Sequence, residues 1–128
     1  MNASERLDNA QTSLVAARLL LKEGFERDAC SRAYYAMFDA ARAALTASGA
    51  PVSAEKARTH SGAISAFSLY LVKTGKLPAV HGARLSQAHQ ARLLADYQGD
   101  SVAPERATAI VDWAAELIDS VKSAFALD

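Results

Sequence analysis

The chain has 128 residues, of which 51% are hydrophobic and 22% are charged, and its 14 basic and 14 acidic residues give a formal net charge of 0. These values are those of an ordinary globular protein that buries one core, so we expect residues 1–128 to form a single domain. They exclude a disordered chain, a polybasic nucleic-acid tail and an acidic tail.

Alanine is the commonest residue, with 29 copies against 6 glycines and 3 prolines. Because alanine has the strongest helix preference and glycine and proline interrupt helices, this composition predicts an all-α fold. The one cysteine, Cys30, excludes an internal disulfide and a cysteine-rich zinc site. The N-terminus has no apolar signal core, and uncharged runs such as residues 61–72 are too short to span a bilayer. We therefore expect a cytoplasmic protein without a membrane segment.

Apolar residues that recur every three or four positions predict five helices. In chain order, we expect them at about residues 4–23, 28–48, 60–74, 80–96 and 104–128. Ser4 is the predicted N-cap of the first helix. Residues 50–58 are predicted to be a connecting loop, and residues 98–101 an exit turn.

Amphipathic helices joined by short loops can bury their apolar stripes only by packing against one another. The sequence therefore predicts an up-and-down bundle of four to five antiparallel helices. Long faces rich in alanine also allow close packing against a second copy, so a homodimer is a reasonable expectation.

The zero net charge is the sum of three unlike segments. Residues 1–55 carry six basic and seven acidic residues, residues 56–95 carry six basic and no acidic residues, and residues 96–128 carry two basic and seven acidic residues. Clustered Lys and Arg could bind the phosphates of a polyanion such as RNA. The alternative is that these basic residues only solvate one face of a neutral protein.

Four residues near the end of the fourth predicted helix form a candidate site. His89, Arg92 and Asp96 share one helical face, and Tyr97 follows them. A guanidinium can hold a phosphate by two hydrogen bonds, a carboxylate can orient it, and an imidazole or phenol can move protons. The alternative is an ordinary surface ion pair between Arg92 and Asp96. Arg84 and His89 also fit an Arg-x4-His spacing, but five residues place them on different faces.

Two further segments could contribute to a cleft. His60 lies at the predicted start of the third helix, where free backbone N–H groups favour an anion and disfavour a protonated imidazole. The alternative, which the position alone favours, is a capping or loop histidine. On the second helix, Tyr34, Tyr35 and Phe38 are typical of core packing. Three residues of that helix could nevertheless reach a cleft, namely Ser31, Arg32 and Tyr35.

The histidines do not have the spacing of a metal site. His60, His81 and His89 all lie in the segment without acidic residues, and no His-Glu-x-x-His or Glu-x-x-His motif is present. The sequence also has no glycine-rich phosphate loop, no nucleophile elbow and no Cys-His pair. We predict no metal and no cofactor.

Three segments, taken in order, carry a resemblance to a known family. They are residues 31–42 (SRAYYAMFDAAR), residues 58–62 (RTHSG) and residues 92–97 (RLLADY). They resemble the signature segments of small prokaryotic HEPN-domain proteins, and the resemblance covers nearly the whole chain. It implies a bundle of four to five helices that commonly dimerises, in agreement with the helix pattern.

The resemblance also implies a function. Many HEPN proteins are metal-independent endoribonucleases in which the RNA 2′-hydroxyl attacks the adjacent phosphate, and many are toxins paired with a nucleotidyltransferase-type antitoxin. Their site is an Arg followed four to six residues later by a His, duplicated across the dimer. By resemblance, the catalytic residues are Arg92, Asp96, Tyr97 and His60. The residues expected to bind phosphate or RNA are Ser31, Arg32, Tyr35, Arg58 and His89.

This chain departs from the family motif because no His lies four to six residues after Arg92. His60 or His89 could supply the imidazole, Tyr97 could act instead, or the chain is not a nuclease. A non-catalytic nucleotide-binding or partner module for a nucleotidyltransferase is the main alternative, with Tyr97 as an acceptor of AMP. A purely structural dimerisation bundle is a third.

Overall fold

Six α-helices make up the part of the chain that this computed structural model describes, which is residues 1–98 and 101–128. The helices are α1 (Ala3–Lys22), α2 (Glu26–Ala47), α3 (Ala54–Arg58), α4 (His60–Phe67), α5 (Ala79–Gln98) and α6 (Pro104–Phe125). Residues Ser68–Val72 continue α4 as a π-helix. No strand occurs in the described ranges, so the prediction of an all-α bundle is confirmed.

Helix α1 begins two residues earlier than a Ser4 cap would allow. Asn2 is the N-cap: its side chain accepts a hydrogen bond from the Glu5 backbone at 2.8 Å, and the Glu5 carboxylate accepts one from the Asn2 backbone at 2.9 Å. The prediction of Ser4 as the cap was wrong because only Asn2 has an acidic residue three positions later that can return the bond. Gly24, with φ of 84°, follows the end of α1.

Helix α2 is the centre of the bundle and contacts α1, α4, α5 and α6. Its buried residues are Ala29, Cys30, Ala33, Tyr34, Ala36, Met37, Phe38, Ala40, Ala41, Ala43, Ala44 and Leu45. Seven of these twelve are alanines, whose small side chains let neighbouring helices approach closely. The few large side chains between them, including Tyr34 and Met37, therefore fix where the other helices lie.

The segment predicted as a loop, residues 50–58, contains α3. Ser53 caps this helix by accepting a hydrogen bond from the Lys56 backbone at 3.1 Å. A helix of five residues has no repeated apolar stripe, so periodicity did not reveal it. Thr59 then ends α3 and caps α4, since its hydroxyl accepts from the Gly62 backbone at 3.0 Å.

The remaining helices agree with the predicted positions to within about three residues. On α5, Leu85, Ala88 and Ala95 are buried, whereas Leu94, the alternative core position, is 50% exposed. Helix α6 buries Ile110 and other apolar residues against α2 and α1. Residues 99 and 100 of the predicted exit turn lie outside the described residues. None of the described helices combines the length and apolarity needed to cross a membrane.

Candidate functional site

Two histidines from different helices meet beside the aromatic residues of α2. His60 is the first residue of α4, and His89 lies in the middle of α5. Their ring centroids are 5.3 Å apart, and the ring planes differ by 22°. The Tyr34 ring lies 5.5 Å from the His60 ring and 5.2 Å from the His89 ring. The structure thus brings together the two imidazoles that the sequence analysis treated as separate candidates.

The cap of α4 positions His60. Thr59 holds the first turn through its hydroxyl, which also donates to the Lys56 carbonyl oxygen at 3.0 Å. Gly62 is buried in that turn, and a Cβ atom there would overlap the Lys56 carbonyl oxygen and the Thr59 hydroxyl. The Thr59-His60-Ser61-Gly62 turn therefore fixes the direction in which the His60 side chain projects from the start of α4.

Tyr34 contacts His60 directly. The Tyr34 hydroxyl and Nδ1 of His60 are 2.8 Å apart and form a hydrogen bond, while the Tyr34 ring is fully buried. Burial raises the pKa of the Tyr34 hydroxyl well above its usual value, although the Arg92 charge acts in the opposite direction. The phenol therefore stays protonated and can either donate to Nδ1 or accept from it. If the hydroxyl donates to Nδ1, the proton of the neutral His60 ring is on Nε2; if the hydroxyl accepts from Nδ1, Nε2 carries no proton.

Arg92 places a positive charge next to the histidines. Its guanidinium carbon lies 5.1 Å from the Tyr35 ring centroid and 5.8 Å from that of Tyr34, and its Nε donates to the Asp96 carboxylate at 2.9 Å. The Arg92 side chain is only 14% exposed. Arg92 and Asp96 do form the expected i,i+4 pair, but the guanidinium is stacked on aromatic rings rather than extended into solvent.

We call Tyr34, His60, His89 and Arg92 the two-histidine site. Burial is the main cause that lowers the pKa of His60, and the Arg92 and His89 charges lower it further. Burial and the Arg92 charge also lower the pKa of His89. Both imidazoles are consequently neutral at pH 7 and able to accept a proton. Nδ1 of His89 is inaccessible and has no hydrogen-bond partner in the described residues.

The other predicted site residues lie around this site or away from it. Tyr35 is half-buried under Arg92, and the Arg32 guanidinium lies 5.8 Å from the Tyr35 ring centroid. Ser31 is half-buried one turn earlier on α2. Tyr97 is 80% exposed near the end of α5. Arg58 lines a cavity on the neighbouring face rather than the two-histidine site.

Arg84 and His81 belong to a different face of α5. Arg84 donates to the Glu116 carboxylate of α6 at 3.0 Å and lies over the Trp113 ring. His81 is buried, and its Nε2 is 2.9 Å from the Ser120 hydroxyl. Arg84 and His89 therefore lie on different faces of α5, as the helical rotation between them predicts.

Sequence reasoning assigned Tyr34 to the core and missed its polar contact. A buried tyrosine needs a partner for its hydroxyl, and this requirement was the available signal. The partner itself could not be read from the sequence because His60 lies 26 residues away. In residues 1–98 and 101–128, no cluster of three or more His, Cys, Asp or Glu side chains could hold a metal ion.

Comparison with known proteins agrees with the all-α fold and identifies the family. The model of the HEPN domain matches residues 3–124. The chain therefore belongs to the HEPN-domain family.

Among its relatives is the protein named "Putative toxin MJ0605" from Methanocaldococcus jannaschii, which is 32% identical over 92% of this chain and 84% of its own length. The UPF0332 protein glr0978 from Gloeobacter violaceus is 41% identical over 73% of this chain and 70% of its own length. A UPF0332 protein from Thermotoga maritima is 34% identical over 88% of this chain and 84% of its own length.

Proposed function

We propose that the chain is an endoribonuclease of the toxin type that cleaves RNA without a metal ion. The observation that carries the proposal is the pairing of His60 and His89, both with lowered pKa values, beside the Arg92 guanidinium. Two imidazoles and a fixed positive charge supply the base, the acid and the phosphate-binding group that the reaction needs.

In the proposed reaction, a neutral imidazole accepts the proton of a ribose 2′-hydroxyl. The 2′ oxygen then bonds to the adjacent phosphorus, and the bond from phosphorus to the 5′ oxygen of the next nucleotide breaks. The departing 5′ oxygen takes a proton from the second imidazole, which must be protonated at that moment. The products are a 2′,3′-cyclic phosphate and a 5′-hydroxyl.

The other residues have supporting roles. Arg92 stabilises the negative charge that develops on the phosphoryl oxygens, and Asp96 orients Arg92 through the 2.9 Å contact. Tyr34 is a positioning residue, because its hydrogen bond to Nδ1 of His60 selects the tautomer of that ring. Tyr35, which lies under Arg92, and Arg32, which lies over the same Tyr35 ring, would contact the RNA.

The partner proposals follow from the family and its relatives. A relative carries the name "Putative toxin MJ0605", which supports a role as the toxin of a toxin–antitoxin pair. The proposed antitoxin is a nucleotidyltransferase-type protein, and the proposed assembly is a homodimer. Light scattering gives the mass of the purified protein and separates a dimer from a 13.6 kDa monomer.

A second candidate function rests on Tyr97, whose side chain is 80% exposed and therefore accessible to another protein. A nucleotidyltransferase could transfer AMP to it: the Tyr97 oxygen would bond to the α-phosphorus of ATP, and pyrophosphate would leave. A mass increase of the chain after incubation with such an enzyme and ATP, absent in Tyr97→Phe, would support this role.

The test of the nuclease uses the purified chain, a defined RNA and an excess of EDTA. We expect cleavage by the natural chain and at least a hundredfold loss in Arg92→Ala, because removal of one group that stabilises transition-state charge costs about 3–4 kcal/mol. Arg84→Ala is the matched control, since Arg84 lies on the same helix but pairs with Glu116. Equal activity of Arg92→Ala and Arg84→Ala would refute the proposed site.

A further inference from the structure

A concave surface that carries three arginines lies close to the two-histidine site. The cavity has a volume of about 480 Å³ and is lined by residues of α1, α2, α3 and the link between α2 and α3. Arg6 of α1, Arg42 of α2 and Arg58 of α3 all line it. We call it the three-arginine cavity.

These arginines are not neutralised by ion pairs. In the described part of the chain, no carboxylate lies within ion-pair distance of Arg6, Arg42 or Arg58. The Nε atoms of Arg6 and Arg42 are inaccessible and have no hydrogen-bond partner among the described residues. Asp39, on the same helix as Arg42, is the nearby acid, and burial raises the pKa of its carboxyl.

The electrostatics of the cavity favour an anion. Burial and the Arg6 charge lower the pKa of Arg42, Asp39 partly offsets them, and Arg58 lowers it further. Three like charges around one partly buried cavity repel one another, which costs free energy, and a bound anion would offset that cost. The outer nitrogens of the three guanidinium groups offer several N–H donors of the kind that bind phosphate oxygens.

Phe38 lies between the two-histidine site and Arg42 of the three-arginine cavity. The Phe38 ring lies 4.7 Å from the His60 ring, and the Arg42 guanidinium carbon lies 5.4 Å from the centroid of the same Phe38 ring. Tyr34, Phe38 and Arg42 are successive i,i+4 neighbours on α2. At about 1.5 Å per residue, Tyr34 and Arg42 are separated by roughly 12 Å along the helix, which is too far for one phosphate group to contact both.

We propose that the three-arginine cavity binds a second phosphate of the RNA strand whose scissile phosphate occupies the two-histidine site. This inference rests on the proposed function. Its consequence is that the enzyme acts on strands with at least one phosphate beyond the cleaved bond. A dinucleoside monophosphate, which has only the scissile phosphate, leaves the cavity empty and is a poor substrate.

The test compares binding and cleavage in the variants Arg58→Gln and Arg42→Gln/Arg58→Gln. Arg18→Gln is the matched control, because Arg18 is an exposed arginine of α1 that does not line the cavity. Binding is measured by fluorescence polarisation with a DNA oligonucleotide. DNA lacks the 2′-hydroxyl and therefore resists cleavage. Circular dichroism and urea unfolding verify that each variant is folded, and Arg58→Gln changes only an exposed side chain.

We expect the double variant to bind the oligonucleotide at least tenfold more weakly than the natural chain. The slope of log affinity against log salt should fall by about 0.7, since one phosphate contact of a single strand contributes about 0.7. Arg58→Gln should show about half of that change in slope. Unchanged affinity and slope in both variants would overturn the proposal.

Cleavage assays on two substrates distinguish a failure of this inference from a failure of the proposed function. The double variant should lose at least tenfold more kcat/KM on an oligoribonucleotide than on a dinucleoside monophosphate. Equal losses on both substrates would overturn the second-phosphate site. If the natural chain cleaves neither substrate, the nuclease proposal fails, whereas the binding arm still decides whether the cavity holds a phosphate of a nucleic-acid strand.

Discussion

The hydrogen bond between Tyr34 and His60 can be removed with very little change in shape. Tyr34→Phe deletes one oxygen and keeps the ring, so the packing against Phe38, His60 and His89 remains. The lost contact is the 2.8 Å hydrogen bond to Nδ1 of His60. Tyr70→Phe is the matched control, since the Tyr70 hydroxyl makes no hydrogen bond to a described residue.

The size of the effect follows from the burial of this contact. A typical hydrogen bond contributes about 1 kcal/mol, and leaving a buried group unsatisfied costs about 1–3 kcal/mol, so we expect the free energy of unfolding to fall by about 1–3 kcal/mol. In the reaction, the Tyr34 hydrogen bond favours one tautomer of His60, and losing about 1–2 kcal/mol of this preference lowers kcat by roughly five- to thirtyfold. KM should change little, because Tyr34 does not contact the phosphate.

Three measurements distinguish a positioning role from a merely structural one. Urea unfolding gives the stability, RNA cleavage gives kcat and KM, and nitrogen-15 NMR of labelled histidine reports the His60 tautomer. In the natural chain we expect one tautomer of His60, and in Tyr34→Phe a mixture of both. If Tyr34→Phe loses stability but keeps a single tautomer and full kcat, the role assigned to Tyr34 is refuted.

Three further predictions concern the site. Because the pKa values of His60 and His89 lie below the usual value of about 6.5, the rate of cleavage should follow a bell-shaped pH profile with its maximum below pH 6.5; a maximum above pH 7 would contradict this. For the same reason the unfolded chain binds more protons than the folded chain near pH 6, so the free energy of unfolding by urea should be lower at pH 5.5 than at pH 7.5, and no decrease would count against the lowered pKa values. Gly62→Ala should destabilise the fold by more than 1 kcal/mol and reduce cleavage, since the new Cβ overlaps the Thr59 cap, whereas Ser65→Ala on the exposed face of α4 should do neither.

Much of the fold could be predicted because long helices carry many repeats of the apolar period. Helices α1, α2, α5 and α6 each have 20 or more residues, and the sequence places all four. Helix α3 has five residues and is held by the Ser53 cap, so its pattern contains too few positions to indicate a helix. The cap of α1 was misplaced because Asn2 and Ser4 are both good capping residues, and the choice depends on the return bond from Glu5.

From periodicity, the candidate site could be predicted only where its residues are neighbours along one helix; the grouping of His60 with Arg92 came from the family resemblance. The 3.6-residue period places His89, Arg92 and Asp96 on one face, and the Arg92–Asp96 contact follows from it. The approach of His60 to His89 depends on how α4 packs against α5 and α2, which a one-dimensional pattern does not contain. The stacking of Arg92 on Tyr35 likewise depends on how α5 packs against α2.

The central claim is that two imidazoles and Arg92 cleave RNA by attack of the 2′-hydroxyl. The most direct measurement uses a DNA oligonucleotide that contains a single ribonucleotide, incubated with the purified chain in EDTA. We expect one cut, immediately 3′ of the ribonucleotide, which leaves a 2′,3′-cyclic phosphate and a 5′-hydroxyl, and at least a hundredfold slower cutting by Arg92→Ala. Cleavage of the all-DNA strand, or products with a 5′-phosphate, would contradict it.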